Sequence, residues 1–137
     1  MAVLSVERLP DEPIIIATLD GMVDAETSRQ VFEETARLAA GITEHVYRIT
    51  DCTRIDADLP NTMGMLLEVT KGKPASTSDP NVTVVLVGGH QLTKFYAQAM
   101  AQPQFGGISV PVFPSVAEAL VHIRFQIRRQ RSQSSKE

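Results

Sequence analysis

The sequence predicts a single α/β domain of order ββαβαβαβα, a mostly parallel mixed sheet of about five strands flanked by about four helices. Three observations predict it. Strand-sized apolar runs alternate with segments of helical periodicity once an opening pair of runs has passed. The run Val82–Val87 is nearly continuous and β-branched, as strands covered on both faces are. Capping residues and glycine or proline stops fall where the two kinds of segment meet. Such alternation calls for parallel strands joined by right-handed crossovers.

Leu4–Leu9 and Ile14–Leu19 are separated by Pro10-Asp11-Glu12-Pro13, a turn-forming cluster that makes the pair a hairpin. After Asp20-Gly21, Asp24 can cap a helix that has Glu26 in its first turn. Val31, Phe32, Thr35, Leu38 and Ala39 mark its inner face, Gly41 its end, and Arg29, Glu33 and Arg37 pair as i,i+4 opposite charges outside. Val46–Cys52 is a third strand, expected to run into an acidic loop over Asp51–Asp58. From about Pro60, the residues Met63, Leu66, Leu67 and Thr70 mark a second helix, with Gly72 as its stop. Lys73–Pro80 reads as a mobile, linker-like loop.

Gly88-Gly89 follows the Val82–Val87 strand and turns the chain into a third helix, whose stripe is Leu92, Phe95, Tyr96, Ala99 and Met100. Pro103 ends it, and Gln104–Gly107 forms a turn. Ile108–Phe113 is a last short strand, held to an edge or strand end by Pro111. Ser115-Val-Ala-Glu118 is a capping-box signature for a final helix with Val116, Ala119, Leu120, Ile123 and Ile127 inward. The domain is expected over residues 1–127, with 128–137 as a basic polar tail without fixed structure.

At 137 residues, 43% of them hydrophobic, the chain is long enough to bury its own core. No apolar run approaches the roughly 20 residues of a membrane span, and the N-terminus lacks the basic-then-apolar pattern of a secretory leader. Cys52 is the single cysteine, which leaves no internal disulfide and no cysteine-rich metal framework. A cytoplasmic address without membrane contact is the expectation. Net charge is −3, from 13 basic and 16 acidic side chains. Arg124, Arg128, Arg129, Arg131 and Lys136 stand against Glu137 alone, so the last fourteen residues carry +4 and the body −7. An acidic body with 5% aromatic residues and no tryptophan is poorly suited to nucleic acid, in charge and in stacking surface alike.

His45, His90 and His122 are far apart, with no i,i+4 pair, so no metal and no cofactor are expected. Neither Gly-x-Ser-x-Gly nor Gly-x-x-x-x-Gly-Lys occurs. His45 and Cys52 lie seven residues apart on one strand, about 23 Å, too far to react as a pair. Cys52 reads as a small buried filler. With no nucleophile, base and oxyanion donors assembled, no enzyme is expected. Asp51, Asp56 and Asp58 fall at the carboxyl end of a strand, where open α/β sheets place ligands. They can serve as acids, metal ligands or partner contacts, or as solvated loop residues and helix caps. Gly88, Gly89 and His90 offer backbone N–H groups at a helix start, an anion site or simply a tight turn. Lys94, Tyr96 and the Ser76–Asp79 loop are further surface candidates.

The opening hairpin, the polar stretch after Asp51 leading to Met63-Gly64-Met65-Leu66-Leu67, the Val82–Val87 strand and Val112-Phe113-Pro-Ser-Val-Ala-Glu-Ala-Leu120 together resemble the STAS domain family, the fold of anti-sigma-factor antagonists, and its SpoIIAA-like branch in particular. The resemblance covers roughly residues 3–125 and is one of order and pattern. It implies a bacterial, non-catalytic regulatory module that binds a protein partner, with Asp56, Asp58, Asn61 and Thr62 as contact candidates. In phosphorylatable members a serine opens the second helix in an Asp-Ser-Ser-Gly-Leu-Gly pattern. If Gly64 takes the place of the last glycine, the serine positions read Pro60 and Asn61 and the first glycine reads Thr62. The usual acceptor is missing, and Thr62 is the nearest hydroxyl, a phosphorylation candidate at a helix start. The SpoIIAA-like branch also shares its outline with CRAL-TRIO lipid carriers, which raises a small apolar ligand as the alternative, with Met63, Met65, Met100 and Phe105 as lining. Pairing of two copies through the Leu92–Met100 helix, a homodimer, is a further expectation.

Overall fold

The structure, a computed structural model, describes residues 2–135. Strands β1 (Val3–Arg8) and β2 (Ile14–Met22) form the opening hairpin. Helix α1 (Ala25–Ala39), β3 (Val46–Asp56), α2 (Leu59–Thr70), β4 (Val82–Val87), α3 (Gln91–Met100), a 3-10 turn at Pro103–Phe105, β5 (Val112–Phe113) and α4 (Val116–Ser135) follow. The sheet has the order β1-β2-β3-β4-β5. Only β1 and β2 pair antiparallel; β2 to β5 are parallel neighbours. The α/β order read from the sequence is therefore the observed one. No helix among the described residues is long and apolar enough to cross a membrane.

Alternation along the central strands divides the core in two. Ile15, Ala17, Leu19, Val46, Val84 and Leu86 face the layer that contains α1, α2 and α3, meeting Val31, Phe32, Leu66 and Tyr96. Ile14, Ile16, Tyr47, Ile49, Val85 and Val87 face the other way, onto Ala119, Ile123 and Ile127 of α4. One helix alone thus covers the second face, each buried aliphatic side chain contributing about 1.5–3 kcal/mol.

Four elements differ from expectation. Strand β3 runs on through Asp56, because β2 also continues past Leu19 and pairs Asp20, Gly21 and Met22 with Arg54, Ile55 and Asp56. The polar residues that read as a loop are the two-stranded extension of a ladder, projecting beyond Val87, where β4 ends opposite Asp51. The expected strand from Ile108 reduces to Val112–Phe113. The loop at 73–80 is packed, with Ala75, Ser76 and Thr77 buried. Helix α4 continues through residues 128–135, expected as an unstructured tail. Arg131, bidentate to Glu44 at 2.8 and 3.0 Å, ties that last stretch to the α1–β3 connection. Arg124 does the same one turn and more earlier, to Glu12 of the hairpin turn, at 2.9 Å twice. Lys136 and Glu137 lie outside the described residues. On α1 the charged pairs form at i,i+3, Arg29 with Glu26 and Arg37 with Glu34, rather than through Glu33.

Candidate functional site at the carboxyl edge of the sheet

The parallel strands β2 to β5 deliver the N-termini of α1, α2, α3 and α4 to one edge. Beyond β2, Asp24 caps α1: its carboxylate accepts from the Thr27 N–H at 2.9 Å, and Thr27 Oγ1 accepts from the Asp24 N–H at 3.1 Å. The bond from the Thr27 N–H foremost, and a second from the Thr27 hydroxyl to Asp24 Oδ1 at 3.0 Å, hold the Asp24 carboxyl below its usual range. Beyond β3, Asp58 Oδ1 accepts from the Asn61 N–H at 2.8 Å and Asp58 Oδ2 from Asn61 Nδ2 at 3.2 Å, capping α2. Beyond β4, His90 Nδ1 accepts from the Leu92 N–H at 3.0 Å, capping α3. Each cap satisfies a donor that a helix start would otherwise leave free.

The structure sorts the sequence-derived candidates. Asp56 is exposed, and Asp58 and Asn61 are partly exposed beside it. Thr62 is only 3% exposed, and its hydroxyl donates to the Asp58 carbonyl at 2.7 Å. It is withdrawn from the surface in the folded chain. Asp51 and Asp56 stand five residues apart on one strand, about 16 Å, and do not cluster; Asp51 instead accepts from the backbone and hydroxyl of Thr53. At the Gly88–His90 turn the Gly88 N–H donates to the Phe113 carbonyl at 3.0 Å. With the Leu92 N–H held by His90, two nearby donors are already used. The tight-turn reading has a direct cause: Gly88 has φ +139, and a Cβ there would stand 3.1 Å from the Cys52 carbonyl. Tyr96, Ser76 and Thr77, expected at the surface, are buried. The α3 stripe also turns inward at Met100, leaving Phe95 as its exposed large apolar residue.

Helix α2 presents a different surface from the one its periodicity indicated. Leu59, Met63 and Leu67, at successive i,i+4 positions, are 53%, 37% and 57% exposed. Leu66 turns inward as expected, but together with Thr62 and Val69 rather than with Met63 and Leu67. Both stripes obey the helical period, so spacing alone did not choose between them.

Beneath this edge, between the sheet and helices α1–α3, lies a cavity of about 50 Å³. Its wall is mostly apolar, including Val23, Phe32, Met65 and Leu86, with Arg48, Thr50 and Thr93 also on it. Of Met63, Met65, Met100 and Phe105, only Met65 lines it. Arg48, which the sequence reading passed over, is 1% exposed. Nη1 donates to the Ala75 carbonyl at 2.6 Å and to Thr35 Oγ1 at 3.3 Å, and Nη2 to Thr77 Oγ1 at 3.2 Å. Its guanidinium also lies 5.3 Å from the centre of the Phe32 ring. Burial pulls Arg48 down to about 10, still charged at neutral pH. Burial pushes the Cys52 thiol up to about 12, with Asp51 adding to the effect, and pushes Tyr96 up to about 12 against the opposing pull of Arg48 and a hydrogen bond with Thr77. The signal for Arg48 was present in the sequence: a cation between Tyr47 and Ile49, in the apolar stretch of a strand covered on both faces.

No family model matches the chain, and no curated protein matches it. Solved structures do, two of them at a TM-score above 0.5. A DUF3478 protein with a SpoIIAA-like fold from Shewanella loihica PV-4 matches at 19% identity over 87% of this chain and 90% of its own, with a TM-score of 0.55. An anti-sigma factor antagonist from Mycobacterium paratuberculosis matches at 14% identity over 90% of this chain and 95% of its own, with a TM-score of 0.53. The strand order, the single antiparallel pair and the four helices agree with these likenesses: the chain has a SpoIIAA-like fold.

Proposed function

We propose that this domain is a non-catalytic regulatory module that binds a protein partner through the outer face of α2. The observation that carries the reading is the stripe Leu59, Met63 and Leu67, left open to solvent directly after the carboxylates of Asp56 and Asp58. Apolar residues at i, i+4 and i+8 on an exposed helix face are the anchors of helix-in-groove recognition. The partner this surface fits offers an apolar groove with basic groups at the rim, opposite Asp56 and Asp58. A neighbour in fold is an anti-sigma factor antagonist, a name that denotes action on another protein. The buried, protonated thiol of Cys52 supplies no nucleophile at neutral pH, which is consistent with binding rather than chemistry.

The test compares wild type with the double variant Leu59→Ser/Leu67→Ser as immobilised bait, after melting curves show both folded. A partner held by wild type and released by the variant, and by Asp56→Lys, supports the reading. Equal retention by all three overturns it.

A further inference from the structure

We infer that the cavity beneath α1, α2 and α3 is a binding site for a small carboxylate anion, with Arg48 as the cationic anchor. The inference starts from two idle polar atoms. Arg48 Nε and Thr93 Oγ1 are buried and lack any hydrogen-bond partner among the described residues, and both residues lie on the wall of this cavity. Buried polar groups are nearly always satisfied, and these two unpartnered atoms belong to residues of one cavity wall.

Charge makes the same point. Among the described residues no carboxylate comes within ion-pair distance of Arg48. Asp79 acts on it only at longer range, and its two oxygens already accept from the Ala75 and Asn81 N–H groups at 2.7 and 2.9 Å. Tyr96 and Cys52, the other titratable groups nearby, are neutral at physiological pH because burial raises both. A buried cation without an anion is costly. The bonds from Nη1 and Nη2 explain how Arg48 holds the 73–80 loop, but they leave Nε unused.

Size and wall chemistry narrow the class. One water needs about 10–15 Å³ of such space, so about 50 Å³ holds a ligand of roughly four or five heavy atoms. A bare inorganic ion would leave the apolar wall of Val23, Phe32 and Leu86 uncovered. A carboxylate with a short alkyl group meets both halves, its head on Arg48 and its carbon chain on that wall.

Sodium propionate is the probe, added to 15N-labelled protein while the Arg48 Nε–H resonance and the melting temperature are followed. Propionamide, its neutral counterpart, and sodium chloride at equal ionic strength are the controls. The expected result is a saturable shift of the Nε–H resonance and a melting temperature that rises with propionate by mass action, with neither control reproducing them. Arg48→Met, which lacks the reporting N–H, abolishes the rise in melting temperature. Thr93→Val, which keeps the side-chain volume, weakens propionate binding at least threefold and carries the comparison if the arginine variant does not fold. A flat titration, an equal response to propionamide or to chloride, or undiminished binding in Thr93→Val overturns the inference, leaving ordered water as the occupant.

Discussion

Arg48 Nη1 on the central strand donates to the carbonyl of Ala75, 27 positions later, at 2.6 Å. Ala75 has φ +60, a left-handed conformation that side chains other than glycine rarely adopt. Its N–H is held by Asp79 and its carbonyl by Arg48, so the turn is fixed from both sides. Ser78 adds a third tie, donating to the Val69 carbonyl at 2.8 Å. A stretch that reads as a linker is thereby bolted to the middle of the sheet.

Replacing Arg48 with methionine orphans that carbonyl. The expected loss is about 1–3 kcal/mol, tempered because a buried charge is removed along with its bonds. Denaturant melts give the loss, and hydrogen exchange is expected to speed up over residues 73–80. Unchanged protection of that loop contradicts the anchoring role.

Gly88 and Gly89 are adjacent but not equivalent. Gly88→Ala is expected to cost about 1–3 kcal/mol, since it forces a strained φ and presses a Cβ against the Cys52 backbone. A Cβ on Gly89 meets nothing within 4 Å, so Gly89→Ala is expected to stay within about 0.5 kcal/mol of wild type. Parallel thermal melts of the two variants decide the matter; equal losses would be incompatible with the close strand approach.

Glu68 is buried on α2, and its Oε1 accepts from Lys71 Nζ and from Arg29 Nη1, each at 2.7 Å. The Lys71 hydrogen bond first, then that of Arg29, holds its carboxyl below the ordinary value of 4.5. A lowered folded value means that the unfolded chain binds the proton first as pH falls. Its contribution is therefore complete above pH 4.5 and is lost as pH drops through the folded value. Glu68→Gln is expected to cost about 1 kcal/mol at neutral pH, since both cations remain partly solvated. The variant's melting temperature should also fall less steeply with acid than that of wild type.

Cys52 is buried with its thiol raised to about 12. In the folded protein at neutral pH it is expected to react with a disulfide reagent about a hundredfold or more slower than in denaturant, because both thiolate and access are missing. A fast absorbance change without denaturant would show instead that the edge beside Gly88 opens readily.

Features governed by neighbours in the chain were legible in the sequence. The hairpin follows from Pro10–Pro13, the α1 cap from Asp24, the core strand from Val82–Val87 and the α4 start from Ser115, whose Oγ accepts from the Glu118 N–H at 3.2 Å. Capping, turn chemistry and periodicity act over a few residues, so they determined the element order and the fold class. The candidate site was legible only in its outline: Asp58 and Asn61 belong to the carboxyl edge, but Thr62 turns under the helix and Leu59, Met63 and Leu67 turn out.

Tertiary structure decided whatever depended on a distant partner. The end of β3 depends on β2 continuing beside it, the last turns of α4 on Glu44, and the burial of residues 75–77 on Arg48. The exposed face of α2 depends on which of two equally periodic stripes α1, α3 and the sheet leave uncovered. A hydrogen bond or an apolar contact formed across dozens of residues leaves no local pattern, because its geometry exists only after the strands have assembled around it.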